Sequence, residues 1–123
     1  MQLDPIIIVG MCPSDKPTLG YKRNATFKRL EAWMDELNVK HFSFINVFGE
    51  PHVPTLSKVK GKHLIEATKN YKNVLALGEF VSLALNRLNV EHFKLPHPSP
   101  LNRLLNDKEY EKQVLEQCKD YLL

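Results

Sequence analysis

One histidine in this sequence lies between two prolines. The stretch LPHPSPLNR covers residues 95–103 and holds His97 between Pro96 and Pro98. Because proline fixes the backbone torsion φ, these neighbours position the histidine ring at little further entropic cost. A neutral imidazole can donate one hydrogen bond to an anion that develops during a reaction. The stretch therefore offers His97 as a catalytic group, and a proline-stiffened loop without chemistry is the simpler alternative.

An asparagine interrupts an otherwise apolar run. Asn46 lies between Ile45 and Val47 in the segment FINV. A buried amide that lacks a partner costs about 1–3 kcal/mol. At the end of a strand, its side chain can donate and accept hydrogen bonds at once, which suits the edge of a pyrimidine base. The alternative is an amide that is satisfied by neighbouring backbone.

The loop GMCPS, residues 10–14, leaves an apolar run through a glycine and a proline. Gly10 lets the backbone approach a ligand closely, and Pro13 fixes the direction of the chain. A turn at the end of a strand is the simpler interpretation. The nucleotide-binding patterns GxGxxG and GxxxxGK[ST] do not occur, so we expect no cofactor. Apart from the triplet EPH at residues 50–52, no residues have tight metal-ligand spacing, so we expect no metal.

Four short apolar runs alternate with four amphipathic segments. The runs PIIIVG, HFSFINVF, NVLALG and VEHFKL predict strands at residues 5–10, 41–48, 73–78 and 90–95. Helices are expected after Asn24 and around residues 62–70, 79–88 and 107–123. This alternation predicts one α/β domain over residues 1–123, a three-layer α/β/α sandwich with a central, mainly parallel four-stranded sheet. Ligands of such folds bind beyond the carboxyl ends of the strands.

Size and composition narrow the class of protein. The chain has 123 residues and a net charge of +3, which permits contact with a polyanion without requiring it. No apolar run approaches the roughly 20 residues that cross a bilayer, and the first residues do not have the pattern of a signal peptide. We therefore expect a cytoplasmic monomer without a membrane partner. Cys118 lies in the apolar stripe of the last segment and is expected to pack in the core.

Taken together, these loops resemble those of the uracil-DNA glycosylase superfamily. HPSPL at residues 97–101 is similar, residue for residue, to the second motif of that family. GMCPS resembles the first motif, which is written GQDPY, GMNPG, GINPG or GEAPG. The family's base-reading asparagine ends the second strand, as Asn46 does in FINV. NVLALG resembles the strand and glycine, here Gly78, that precede the HPSPL region in the family. The resemblance therefore covers most of the chain.

The resemblance implies the family's fold and its activity on DNA. That activity hydrolyses the N-glycosidic bond of uracil, or of a related modified pyrimidine, and leaves an abasic site for base excision repair. The base is flipped out of the duplex into a pocket. By this resemblance His97 donates to the departing pyrimidine, Asn46 pairs with its edge, and Leu101 fills the gap in the duplex. The residues expected to line the pocket are Gly10, Met11, Cys12 and one stacking aromatic, Tyr21 or Phe27.

The resemblance also implies contacts with the DNA backbone, which we expect from Ser14, Gly78, Pro98, Ser99, Asn102 and Arg103. Basic residues flank this region and are either a solvated surface or a phosphate-tracking one; they are Lys16, Lys22, Arg23, Lys28, Arg29, Lys58, Lys60 and Lys62.

The residue that activates water in the family differs in this chain. The family usually carries Asp or Asn at the position of Cys12, or Glu at the position of Met11. Asp15 is the nearby carboxylate that can replace them, and Cys12 is the second candidate. Two alternatives stay open: a non-catalytic protein that binds DNA or modified bases, and an enzyme that acts on a free nucleoside or nucleotide. Salt-sensitive DNA binding without turnover would select the first.

Overall fold

The computed structural model describes residues 5–11, 25–49, 53, 55–99 and 102–123. Within these ranges four strands alternate with four α-helices. The strands are β1 (Ile6–Gly10), β2 (Ser43–Asn46), β3 (Asn73–Leu77) and β4 (Phe93–Leu95). The helices are α1 (Ala25–Glu36), α2 (Gly61–Thr68), α3 (Glu79–Arg87) and α4 (Lys108–Leu122). Two 3₁₀ helices, Leu56–Lys58 and Arg103–Asn106, lie in the loops before α2 and α4.

The strands form one parallel sheet of order β2-β1-β3-β4. Every residue of β1 and β3 is buried, as expected for the central strands of a parallel sheet. The predicted α/β class and four-stranded parallel sheet are therefore confirmed. The chain passes from β1 to β2 on one side and then returns to β3 on the other side. The direction of the strand order thus reverses between β1 and β3.

Alternating side chains of the strands supply a core on each face of the sheet. On one face, Ile6 and Ile8 of β1 pack with Trp33 of α1 and Cys118 of α4. The cluster on the opposite face draws on β1, α2 and α3 and includes Ile7, Val9, Leu64, Val81 and Leu85. Complete burial of one such aliphatic side chain contributes about 1.5–3 kcal/mol. The helices α1 and α4 therefore cover one face, and α2 and α3 cover the other.

Asparagine ends two of the helices. Asn38 after α1 and Asn89 after α3 adopt positive φ values of 60° and 57°. The residue after each asparagine donates its N–H to a carbonyl group in the last turn of the helix. Val39 N–H donates to Met34 O at 2.8 Å, and Val90 N–H donates to Leu85 O at 3.0 Å. This is the Schellman arrangement, in which asparagine can replace glycine. It stops each helix and turns the chain toward the next strand.

The strands are shorter than the apolar runs that predict them. β4 begins at Phe93 rather than at residue 90. Val90 belongs to the turn that ends α3, and the ring of His92 bonds to that turn and to α3 itself. The Nδ1 atom of His92 lies 2.8 Å from Val90 O, and its Nε2 atom lies 2.7 Å from Ser82 Oγ. Neither 3₁₀ helix was predicted, because each depends on loop contacts rather than on an apolar period.

The core position of Cys118 is confirmed, since its side chain is completely buried. The predicted final helix begins where Asp107 caps it: the Oδ1 atom of Asp107 accepts from Glu109 N–H at 3.0 Å and Tyr110 N–H at 3.2 Å. No helix in the described ranges combines the length and the apolar character needed to cross a membrane.

Candidate functional site

Asn46 lies directly against Gly10 at the carboxyl end of the sheet. The two residues are register partners, each the last residue of its strand. A β-carbon on Gly10 would lie 2.8 Å from Asn46 Oδ1 and 2.9 Å from Phe44 Cζ. Real β-carbons do not come so close to other atoms, so glycine at this position creates the space that the amide occupies. The amide of Asn46 thereby leans from the edge strand β2 over the central strand β1.

An aromatic pair adjoins this amide. Phe44 precedes Asn46 by two residues and therefore points to the same face of the sheet. The rings of Phe27 and Phe44 meet edge to face, with centroids 5.8 Å apart and an interplanar angle of 65°. Phe27, which lies in the first turn of α1, is thus close to the Asn46 end of the site. Tyr21, the other predicted stacking residue, lies outside the described residues.

His97 lies against a second glycine. Gly78 follows β3, has a φ of +91°, and donates its N–H to Leu95 O at 2.8 Å. A β-carbon on Gly78 would lie 3.5, 3.7 and 3.9 Å from the Cβ, Cδ2 and Cγ atoms of His97. The imidazole therefore leans from the end of the edge strand β4 over the end of the central strand β3.

Local hydrogen bonding selects the tautomer of His97. The backbone N–H of Ser99 donates to His97 Nδ1 at 3.2 Å, so Nδ1 must carry a lone pair and the proton of the neutral ring belongs to Nε2. His97 as a whole is exposed, but the partial desolvation of its ring against the surrounding backbone lowers its pKa below the ordinary value of 6.5. At neutral pH the side chain is therefore an uncharged imidazole that presents Nε2–H as a donor.

Asn102 closes the loop that carries His97. Its Nδ2 donates to His97 O at 2.9 Å, and its Oδ1 accepts from Leu104 N–H at 3.1 Å. Its own backbone N–H donates to Ser99 O at 3.0 Å. The amide was predicted to contact DNA phosphate, and it retains one further donor hydrogen for that purpose. Its described contacts all lie within the loop.

The two glycines against which Asn46 and His97 lie belong to the carboxyl ends of neighbouring strands. β1 and β3 are neighbours in the sheet, so the ends on which Asn46 and His97 lean are separated by one strand spacing, about 4.8 Å. The strand order reverses between these same two strands. In open α/β sheets, the crevice outside the carboxyl ends at such a reversal is where ligands bind. Asn46 and His97 therefore lie beside the carboxyl ends of the two strands between which the strand order reverses.

The other predicted site residues differ in their surroundings. The side chain of Met11 is partly buried and packs with the cluster on the face covered by α2 and α3. Pro98 is completely buried and Ser99 is partly buried, whereas Arg103 is exposed. The remaining predicted residues lie outside the described part of the chain; they are Cys12, Ser14, Asp15, Tyr21 and Leu101.

No family model and no curated protein sequence matches this chain. Among the described residues, no group of three His, Cys, Asp or Glu side chains could hold a metal ion.

One feature near the crevice has no counterpart in the sequence-based prediction. Phe48 and Phe80 stack with ring centroids 6.0 Å apart and an interplanar angle of 28°. Phe48 N–H donates to Met11 O at 2.8 Å, which continues the pairing of β1 and β2 beyond their ends. The pair joins the segment after β2 to the first turn of α3. In the sequence, one phenylalanine shortly follows β2 and another shortly follows β3, and this pattern could have indicated the stacked pair.

Proposed function

We propose that this protein is a DNA glycosylase with a fold of the uracil-DNA glycosylase type, a three-layer α/β/α sandwich. Its substrate would be uracil, or a related modified pyrimidine, in DNA, and its product an abasic site. One observation carries the proposal: Asn46 and His97 lean from the two edge strands toward the reversal between β1 and β3, each over a glycine. That arrangement suits a flat heterocycle bound between an amide and an imidazole.

His97 would stabilise the leaving group. When the glycosidic bond breaks, its electron pair goes to the pyrimidine nitrogen, and negative charge spreads to the ring oxygens. Nε2–H of a neutral, pre-positioned imidazole donates to such an oxygen without the need to reorganise at that moment. Removal of one donor of this kind in other enzymes slows catalysis by about 10²–10³-fold. Ser99 N–H supports this role because it holds the proton on the nitrogen that faces away from the loop.

Asn46 would read the edge of the base. A uracil edge offers a carbonyl oxygen and an imino N–H side by side, and a carboxamide offers the complementary N–H and carbonyl oxygen. Gly10 leaves no side chain where Asn46 Oδ1 lies, which supports the recognition of the base at this end of the crevice. Phe27 and Phe44 supply aromatic surface on the same side.

Exposed lysines supply the charge that a DNA partner requires. Lys58, Lys60 and Lys62 are all exposed and lie in the segment that leads from the carboxyl end of β2 into α2. Residues 51–65 contain no Asp or Glu. When such lysines bind DNA phosphates, the cations condensed on the DNA are released, so binding weakens as salt is added. Arg103, exposed beyond the His97 loop, is a further cation available to DNA.

The reaction needs a water molecule whose oxygen bonds to the anomeric carbon and whose proton is lost to a base. Asp15 and Cys12 are the candidates for that base, and both lie outside the described residues. The presence of Met11 and Cys12 in place of a carboxylate or an amide favours one alternative, a non-catalytic protein that binds DNA or modified bases through the same crevice.

A direct assay tests the proposal. The purified protein is incubated in excess with single- and double-stranded oligonucleotides that contain uracil, hydroxymethyluracil or hypoxanthine, and abasic sites are then cleaved with alkali. We expect cleavage at uracil, and at least about tenfold slower cleavage by His97→Ala and by Asn46→Ala, since each loses a hydrogen bond to a charged or developing group.

Matched substitutions control for damage to the fold. His41→Ala removes an exposed histidine before β2, and Asn86→Ala removes an exposed asparagine at the end of α3; both should cleave at the wild-type rate. Tight, salt-sensitive binding of uracil-containing DNA without any product would reject the glycosylase and select the binding protein. Release of base from free deoxyuridine with no affinity for DNA would reject both.

A further inference from the structure

The side chain of Asn102 joins two parts of the chain that the prolines do not fix relative to each other. Pro96 and Pro98 restrict the backbone on either side of His97, yet they leave the carbonyl group of His97 without a partner. Asn102 Nδ2 donates to that carbonyl at 2.9 Å. Asn102 Oδ1 accepts at 3.1 Å from Leu104 N–H, at the start of the 3₁₀ helix Arg103–Asn106.

Two further hydrogen bonds connect Asn102 to the imidazole of His97 through Ser99. Asn102 N–H donates to Ser99 O at 3.0 Å, and Ser99 N–H donates to His97 Nδ1 at 3.2 Å. Ser99 is therefore held on both sides: its N–H bonds to the His97 ring, and its C=O accepts from the backbone of Asn102. If the amide of Asn102 is lost, the carbonyl of His97 is released and the Ser99 N–H can rotate away from Nδ1.

The far end of the amide reaches a surface that is suited to contact with DNA. Leu104 is 58% exposed, which is a large apolar exposure for a leucine, and the adjacent Arg103 is also exposed. A cation beside an exposed apolar side chain is the combination that contacts a phosphate and a groove wall together. Movement of this 3₁₀ helix would reach His97 through the Asn102 amide, which binds both.

We infer that Asn102 is a positioning residue: it holds His97 in the orientation and tautomer used for catalysis and links that orientation to the 3₁₀ helix Arg103–Asn106. The inference rests on the proposed function as far as catalysis is concerned. The orientation of the ring is a property of the protein alone and can be measured without any substrate.

The informative substitution is Asn102→Asp. Aspartate keeps an acceptor for Leu104 N–H and is a favoured residue at the start of a helix, but it cannot donate to His97 O. A merely structural role predicts that Asn102→Asp behaves as wild type. A positioning role predicts a near-native melting temperature together with altered behaviour of His97. Asn102→Ser, which also retains an acceptor, is the second variant if the aspartate variant does not fold. Asn106→Ala, an exposed asparagine in the same 3₁₀ helix, is the matched control.

Two readouts decide the matter. In long-range ¹H–¹⁵N spectra at pH 7.5, wild type and Asn106→Ala should show His97 with its proton on Nε2, whereas Asn102→Asp should show a mixture of tautomers. In the cleavage assay, Asn102→Asp should lower kcat by between about tenfold and a hundredfold with little change in KM, as expected for a misplaced catalytic group.

The two proposals fail in different ways. Absence of cleavage by the wild-type protein would overturn the glycosylase proposal, and the tautomer measurement would still decide the part played by Asn102. Normal cleavage by the wild type, with Asn102→Asp unchanged in both kcat and the His97 spectrum, would overturn the inference alone. A mixture of tautomers in Asn106→Ala would also overturn it, because the effect would then not belong to the Asn102 amide.

Discussion

The imidazole of His97 packs on the bare backbone of Gly78. The ring atoms Cδ2 and Cγ of His97 lie 3.7 and 3.9 Å from the position that a β-carbon on Gly78 would occupy. Gly78 also has a φ of +91°, a left-handed conformation that residues with a side chain rarely adopt. The backbone conformation therefore favours glycine at this position, and a β-carbon there would meet His97 at ordinary van der Waals distance.

Replacement of this glycine should damage both stability and activity. In Gly78→Ala the backbone strain is expected to cost about 1–2 kcal/mol, and relief of that strain would displace the His97 ring. We expect a lower free energy of unfolding in urea and slower cleavage of uracil-containing DNA. Gly49→Ala is the control, because a β-carbon on Gly49 meets nothing within 4 Å. Equal effects of the two substitutions would contradict the backbone strain assigned to position 78.

Gly10→Ala should act on recognition of the base through Asn46. The added methyl group would lie 2.8 Å from Asn46 Oδ1 and 2.9 Å from Phe44 Cζ, so the amide must turn away from its position. We expect weaker binding of uracil-containing DNA, measured by fluorescence anisotropy on single-stranded oligonucleotides.

A double-mutant cycle can assign this effect to the amide. If displacement of Asn46 is the cause, Gly10→Ala should weaken binding much less in an Asn46→Ala background than in the wild type, because residues in contact are not additive. Additive effects of the two substitutions would mean that Gly10 acts through the Phe44 ring or through the backbone instead.

The elements of the fold were predictable because burial leaves a clear local signal. Runs such as IIIV in β1 and VLAL in β3 are apolar throughout, and both strands are buried on their two faces. The pairing of Asn46 with Gly10 could not be predicted in the same way. It depends on strand register, and a shift of one residue would turn the amide to the opposite face.

The orientation of His97 depends on loop contacts that leave no periodic pattern in the sequence. The prolines indicate a stiff loop, but Gly78 and Asn102 determine where the ring lies and which nitrogen carries the proton. These residues come from the end of another strand and from five positions further along the loop. The sequence therefore indicated Gly78 and Asn102 only as expected DNA contacts, and not as the residues that hold His97.

Cys118 should be inert in the native protein. Burial raises the pKa of its thiol from 9.0 to about 12, so the reactive thiolate is scarcely populated at pH 8. In the variant Cys12→Ala, Cys118 is the single remaining cysteine, and mass spectrometry after iodoacetamide treatment should find it unmodified unless urea is present. Rapid alkylation of the folded variant would contradict the burial of this side chain.

The same thiol links stability to alkaline pH. The folded state binds the Cys118 proton more tightly than the unfolded state, in which the pKa is near 9.0. Its contribution is therefore complete below pH 9 and is lost as pH rises toward about 12. Burial also raises the pKa of Tyr121, whose hydroxyl oxygen accepts from Val74 N–H at 3.2 Å. The charge of the Cys118 thiolate contributes to the raised pKa of Tyr121 as well. We therefore expect Cys118→Ala to lose less stability than wild type between pH 8 and pH 10 in urea unfolding experiments.

His97 should make both activity and stability sensitive to mild acid. Burial lowers its pKa below the ordinary value of 6.5, so the folded protein favours the neutral ring and the unfolded chain binds the proton first as pH falls. The contribution of His97 to stability is therefore complete above pH 6.5 and is lost as pH falls through the lower folded pKa. Protonation of Nδ1 would also remove the acceptor of the Ser99 N–H, so kcat should fall over the same range.

An NMR titration of the His97 ring gives the pKa directly, and His97→Gln should lose less stability than wild type between pH 7.5 and pH 5. A measured pKa above 6.5, or a kcat that rises as His97 becomes protonated, would contradict the assignment of a neutral Nε2–H donor.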